Sequence, residues 1–137
     1  VTAAPPPAHW SAAWIGTPWR AGETDCWNFA RRIWAQQFGW HVPAVPVDPC
    51  DSRAGMRALA APDAALWRNA LRLSPQEGDA LLMACARQAC HVGVLVLPGG
   101  AAAVLHALEQ PGAILTALSR LDLLGYRIVG RWRWRAA

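Results

Sequence analysis

At 137 residues, 54% hydrophobic and only 16% charged, the chain has the size and composition of one globular domain with its own core, which excludes an intrinsically disordered protein. The basic side is thirteen arginines with no lysine, and the net charge of +4 is too slight to choose among nucleic acid, acidic cell-wall polymer and membrane surface. No apolar run reaches the length of about 18 residues that a membrane-spanning helix needs.

Residues 1–7 read as a loose Pro/Ala tail, and "VTAAPPPAHW" lacks the regions of a signal peptide, leaving one domain over 8–137. "AHWSAAWIG" predicts a short helix, with Trp10 and Trp14 four apart. "TPWRAGE" is a loop. In "ETDCWNFARRIWAQQFG", Thr24 or Asp25 is a plausible N-cap. Trp27, Ala30, Trp34 and Phe38 recur at helical spacing, and Gly39 supplies the stop. "WHVPAVPVDPC" is too rich in proline for anything but extended loop. Asp51 can cap a helix through Leu59, and Pro62 and Asp63 can start another through about Leu71.

After the turn "SPQEGD" the pattern changes. "ALLMAC", "HVGVLVL" and "AAVLHAL" are short apolar runs that read as strands, the last two joined at "PGG". "GAILTAL" reads as a fourth strand running into a turn or short helix around Ser119, and "YRIVGRWRWR" as a closing strand. Helices first and antiparallel strands after predict an α+β fold, with N-terminal helices packed on a small antiparallel β-sheet. The expected core is Trp14, Ile33, Trp34, Leu81, Met83, Val92, Val94, Val104 and Ile128. The period-two "RWRWR" reads as a strand with one face buried, in preference to an exposed arginine–aromatic strip for nucleic acid.

The chemistry centres on Cys26. A cysteine at a helix start meets the positive end of the helix dipole, which favours thiolate and can steady an oxyanion. It needs a base and a group to orient that base. His91 opens one strand and His106 lies near the end of the next, so an antiparallel pairing brings them side by side. The loop length leaves open whether they share a face. The competing reading is a small buried thiol on an amphipathic helix beside ordinary strand histidines. His9 and His41 have weaker claims. Cys85, Cys90 and His91 lack the partners of a zinc site, so neither metal nor other cofactor is expected.

The segments "WIGTPWRAGETDCWNFARRIW", "EGDALLM", "HVGVLVLPGG" and "VLHA" resemble, in order, those of the NlpC family of cell-wall cysteine peptidases, which have a papain-like fold. The likeness runs from about Trp14 to Arg133. It implies that Cys26 is the nucleophile, His91 the base and His106 the residue orienting it. It also implies cleavage of amide bonds in peptidoglycan stem peptides through an acyl-enzyme. Trp19 stands where many members carry a tyrosine near the oxyanion, and with Asp25 and Trp27 it is expected near the substrate. Asn28 is bulkier than the small residue usual two places after the cysteine. The long "PGGAAA" hairpin could change register and turn His106 away from His91.

"DCW" and the ending "LSRLDLLGYRIVGRWRWR" look like the small peptidases of phage tails and gene transfer agents. That likeness implies a protein made in the cytoplasm, built into a tail tip or baseplate beside other tail proteins, and acting on the wall in the periplasm during DNA delivery. It implies no direct contact with nucleic acid. The alternatives are a catalytically silent structural or plug protein of the same tail tip, and an acyltransferase or amidase on the same fold.

Overall fold

A computed structural model describes residues 8–44, 62–85 and 88–136, with 88–90 described by their backbone alone. The first element is a 3-10 turn, Trp10–Trp14, where the Trp10/Trp14 spacing predicted a short helix. Helix α1, Cys26–Ile33, begins at the expected residue because Asp25 caps it. The Asp25 carboxylate accepts from the Asn28 amide at 3.0 Å, and its carbonyl accepts from Phe29 at 2.8 Å. The helix buries Phe29, Ala30 and Ile33, then widens into a π-helical turn, Trp34–Phe38, before Gly39 ends it at φ 73°. Trp34, fully buried, donates its indole N–H to the Gly78 carbonyl at 2.8 Å and so ties the helix end to the turn before the sheet.

Among the described residues, six strands form one antiparallel sheet: β1 Trp67–Asn69, β2 Ala80–Cys85, β3 Gln88–Val96, β4 Ala103–Leu108, β5 Gly112–Ala117 and β6 Tyr126–Trp134. Their spatial order is β1-β6-β2-β3-β4-β5. The expected α+β class, with helix on one side of an antiparallel sheet, is what the chain adopts. Strand alternation sorts the core into two layers. Val92, Val94, Val96, Ala103, Leu105 and Ala107 pack with α1, while Leu81, Met83, Leu95 and Val104 pack with Leu121 on the other face. Of the expected core, only Trp14 and Ile128 are half-buried, each at the margin of a layer.

The expected helix from Pro62 to Leu71 does not form. Asp63 caps a single turn, taking the Ala65 amide on its carboxylate at 2.9 Å and the Leu66 and Trp67 amides on its carbonyl. The chain then straightens into β1, an edge strand on β6. The reason is tertiary: Trp67 is buried edge-on between Trp34 and Trp134, with ring centres 5.2 and 5.0 Å away, and burying a ring of that size outweighs local propensity. Residues 40–44 have no regular structure, as "WHVPAVPVDPC" implied. The remainder of that segment and the helix expected from Asp51 to Leu59 lie outside the described residues.

In β6, Trp132 and Trp134 join the helical layer, and Arg131 and Arg133, which alternate with them, are committed to the protein itself. Arg133 grips both oxygens of Asp79 at 2.8 and 2.9 Å. Arg131 donates to the carbonyls of Ala70 and Leu73. This is the buried-face strand expected, and the arginines tie the loop 70–79 to the sheet. Asp79 is 1% exposed, so Asp79→Ala removes the buried carboxylate that Arg133 grips and that lies 3.8 Å from Arg131. It is expected to lower stability by about 3 kcal/mol in urea unfolding; a loss within about 0.5 kcal/mol would show that the network contributes little.

Candidate active site

The segment before α1 is fixed to the far edge of the sheet. Gly16 donates to the Ala113 carbonyl, and Ala113 donates to Thr17, both at 2.9 Å. Gly112, at φ 97°, allows this approach, because a Cβ there would lie 2.6 Å from the Thr17 oxygen. The Thr17 hydroxyl donates to Trp14 and the Thr24 hydroxyl to Pro18. These bonds hold Trp19 half-buried beside the start of α1 and give a physical role to the Gly-Thr-Pro-aromatic run.

On the sheet, β3 and β4 pair with Val94 opposite Leu105. One step further sets Gly93 opposite His106, so His91, two residues before Gly93, shares a face with His106. The rings meet: His91 Nε2 lies 2.7 Å from His106 Nδ1. The "PGG" hairpin therefore keeps the register that pairs them. Gly93 makes this possible, since a Cβ there would lie 2.3 Å from the Val104 methyl and 3.0 Å from the His106 Cβ. His106 continues to Thr116 on β5, Nε2 to Oγ1 at 2.9 Å. Tyr126, opening β6, stacks on His91 with centres 4.8 Å apart and planes 18° from parallel.

The histidines stand on the sheet face away from α1, where Met83 pairs opposite His91. Cys26 comes from the helical layer. Cys26 and His91 line one open cleft of about 420 Å³ at the end of the sheet, together with Trp19, Asp25, Ala107, Leu108, Glu109, Gln110 and Tyr126. Expected residues Cys26, His91, Trp19 and Asp25 are thus gathered at the cleft, with His106 fully buried behind His91. Asp25 is committed to the protein, accepting from the Gly22 amide, the Asn28 amide and the Asn28 side chain. Trp27 points elsewhere: its ring packs edge-on against Trp34 and borders a small apolar hollow with Trp67 and Trp132. His9 bonds Glu77 at 2.6 Å, and His41 is exposed. Cys85 is exposed. Glu109, Gln110, Tyr126 and Thr116 were not singled out by sequence, since only the sheet order, with β2 between β6 and β3 and β4 between β3 and β5, brings them here.

Burial sets the electrostatics. It pushes His91 down to about 3, with the neighbouring His106 adding to the effect, and His106 down to about 4. Both imidazoles are neutral at pH 7. Their folded values lie below the unfolded one, so the unfolded chain binds protons first and stability is lost as pH falls below about 6.5. Between pH 6.5 and 5, above most carboxylate titration, each histidine is expected to remove about 2 kcal/mol. Urea unfolding at the two pH values measures this, and an unchanged midpoint would contradict a buried neutral pair.

Compared with models of known protein families, the chain matches none. Compared with curated protein sequences, it likewise finds no match.

Proposed function

We propose that the protein is a cysteine peptidase of the NlpC type with a papain-like fold, which hydrolyses amide bonds of peptidoglycan stem peptides from the tail tip of a phage-like particle. The observation that carries this is the ordered line His91–His106–Thr116 ending in a cleft that also holds Cys26. The motif order in the sequence supports the family.

The chemistry follows from the ring nitrogens. His106 engages Nε2 of His91, so Nδ1 is the nitrogen left for the cleft. As Cys26 Sγ attacks the substrate carbonyl carbon, its proton passes to Nδ1. The low proton affinity of buried His91 means that it accepts this proton only as negative charge forms beside it. That couples proton transfer to attack. The positive end of α1 steadies the oxyanion. Nδ1–H then protonates the departing amine, the C–N bond breaks, and a thioester remains on Cys26. Water attacks the thioester carbonyl and gives a proton to Nδ1. The C–S bond breaks, the carboxylic acid leaves, and the proton returns to Sγ.

The test is digestion of Gram-negative sacculi by the purified protein, with the soluble products identified by mass spectrometry. Release of stem-peptide fragments with new carboxyl and amine ends is expected. Intact sacculi after prolonged incubation with folded protein would contradict hydrolysis by this domain.

A further inference from the structure

The histidine pair has two ways to share its protons, and only one leaves a base in the cleft. If His91 carries its proton on Nε2, it donates to His106 Nδ1, which must then be a bare lone pair. His106 therefore carries its own proton on Nε2 and needs an acceptor there. Thr116 Oγ1, at 2.9 Å, is that acceptor. In the opposite arrangement Thr116 donates to His106 Nε2, His106 Nδ1–H donates to His91 Nε2, and the His91 proton sits on Nδ1. That places a proton where a lone pair is needed.

We propose that Thr116 is a positioning residue that accepts the His106 Nε2–H and so holds both imidazoles in the tautomers that leave His91 Nδ1 unprotonated. This builds on the peptidase proposed above, where Nδ1 is the base. Thr116 is set for the task by register. Val104 pairs with Thr116 and His106 with Ile114, which puts the hydroxyl on the histidine face, one diagonal step from the ring. His106 is 0% exposed, so solvent does not replace the lost acceptor. The imidazolium formed during turnover makes the same demand, because both His91 nitrogens then carry protons and Nε2–H can only donate to a bare His106 Nδ1.

Long-range proton–nitrogen NMR correlations of the 15N-labelled protein at pH 7 read the tautomers without any substrate. The wild type is expected to show Nε2–H on both histidines. Thr116→Val is expected to move His106 towards Nδ1–H, and Thr116→Ser to keep the wild-type pattern. With stem peptide as substrate, Thr116→Val should lower kcat by about 10- to 100-fold with little change in KM, and Thr116→Ser should restore most of it. Nδ1–H on His106 in the wild type, or tautomers unmoved in Thr116→Val, overturns the proposal. If Thr116→Val does not fold, the wild-type and Thr116→Ser spectra decide it. A wild type with the expected tautomers that cuts no peptidoglycan supports the role of Thr116 in setting the tautomer and counts against the peptidase function instead.

Discussion

Replacing Cys26 with alanine is expected to lower stem-peptide cleavage by about 10,000-fold or more while the domain stays folded. On the proposed mechanism the loss is large because no other thiol lines the cleft: the rest of its lining is imidazole, indole, phenol, carboxylate, carboxamide and aliphatic. The fold should survive because Asp25, not Cys26, caps α1, and because Cys26 is only half-buried at the margin of the helical layer. Cleavage rates and thermal unfolding of the variant check both halves. A variant retaining a tenth of wild-type activity would remove Cys26 from the chemistry.

The second large effect falls on Gly93. An alanine methyl there would sit 2.3 Å from the Val104 Cγ2 and 3.1 Å from the Leu105 carbonyl oxygen. No real Cβ occupies such a position, so β3 and β4 must part. A cost of about 3 kcal/mol is expected, at the upper end of the range for overpacking, with a fall of roughly 10 °C in Tm. Activity should fall further than stability suggests, since the strands that part are those that carry His91 and His106. Removing the obstructing methyl tests the cause. Gly93→Ala should cost less in a Val104→Ala background than in the wild type, and equal costs would show that the clash lies elsewhere.

Much of this arrangement is legible before any coordinates. Asp25 and Gly39 mark the ends of the helical segment because capping is local chemistry. The strands from Ala80 onward announce themselves through β-branched runs broken by turn residues. His91 and His106 are legible as a pair because a hairpin makes neighbours of them. What sequence misses depends on distant partners. The three-residue strand β1 exists because Trp67 fills the space between Trp34 and Trp134, and nothing within residues 62–71 signals that. The π-helical turn at Trp34–Phe38 is equally silent. Thr116 is an ordinary strand residue until the β4–β5 register is known. Gly93 did carry a signal, an isolated glycine inside an apolar strand, which marks a close approach of backbones. The commitment of Asp25 to three donors likewise shows only in three dimensions, and it makes this carboxylate a structural support of the cleft wall.

The most direct measurement is the rate at which iodoacetamide alkylates Cys26 at pH 6, followed by peptide-mapped mass spectrometry so that the other cysteines do not confuse it. Wild type is compared with His91→Ala. At that pH a thiol of ordinary pKa, about 8.5, is almost wholly protonated, and the start of α1 acts equally in both proteins, so the rate lost with His91 measures the proton its imidazole takes. The wild type is expected to react about 100-fold faster than the variant. Equal rates would mean that Cys26 and His91 share a cleft without sharing a proton, and would contradict the nucleophile and base assigned to them.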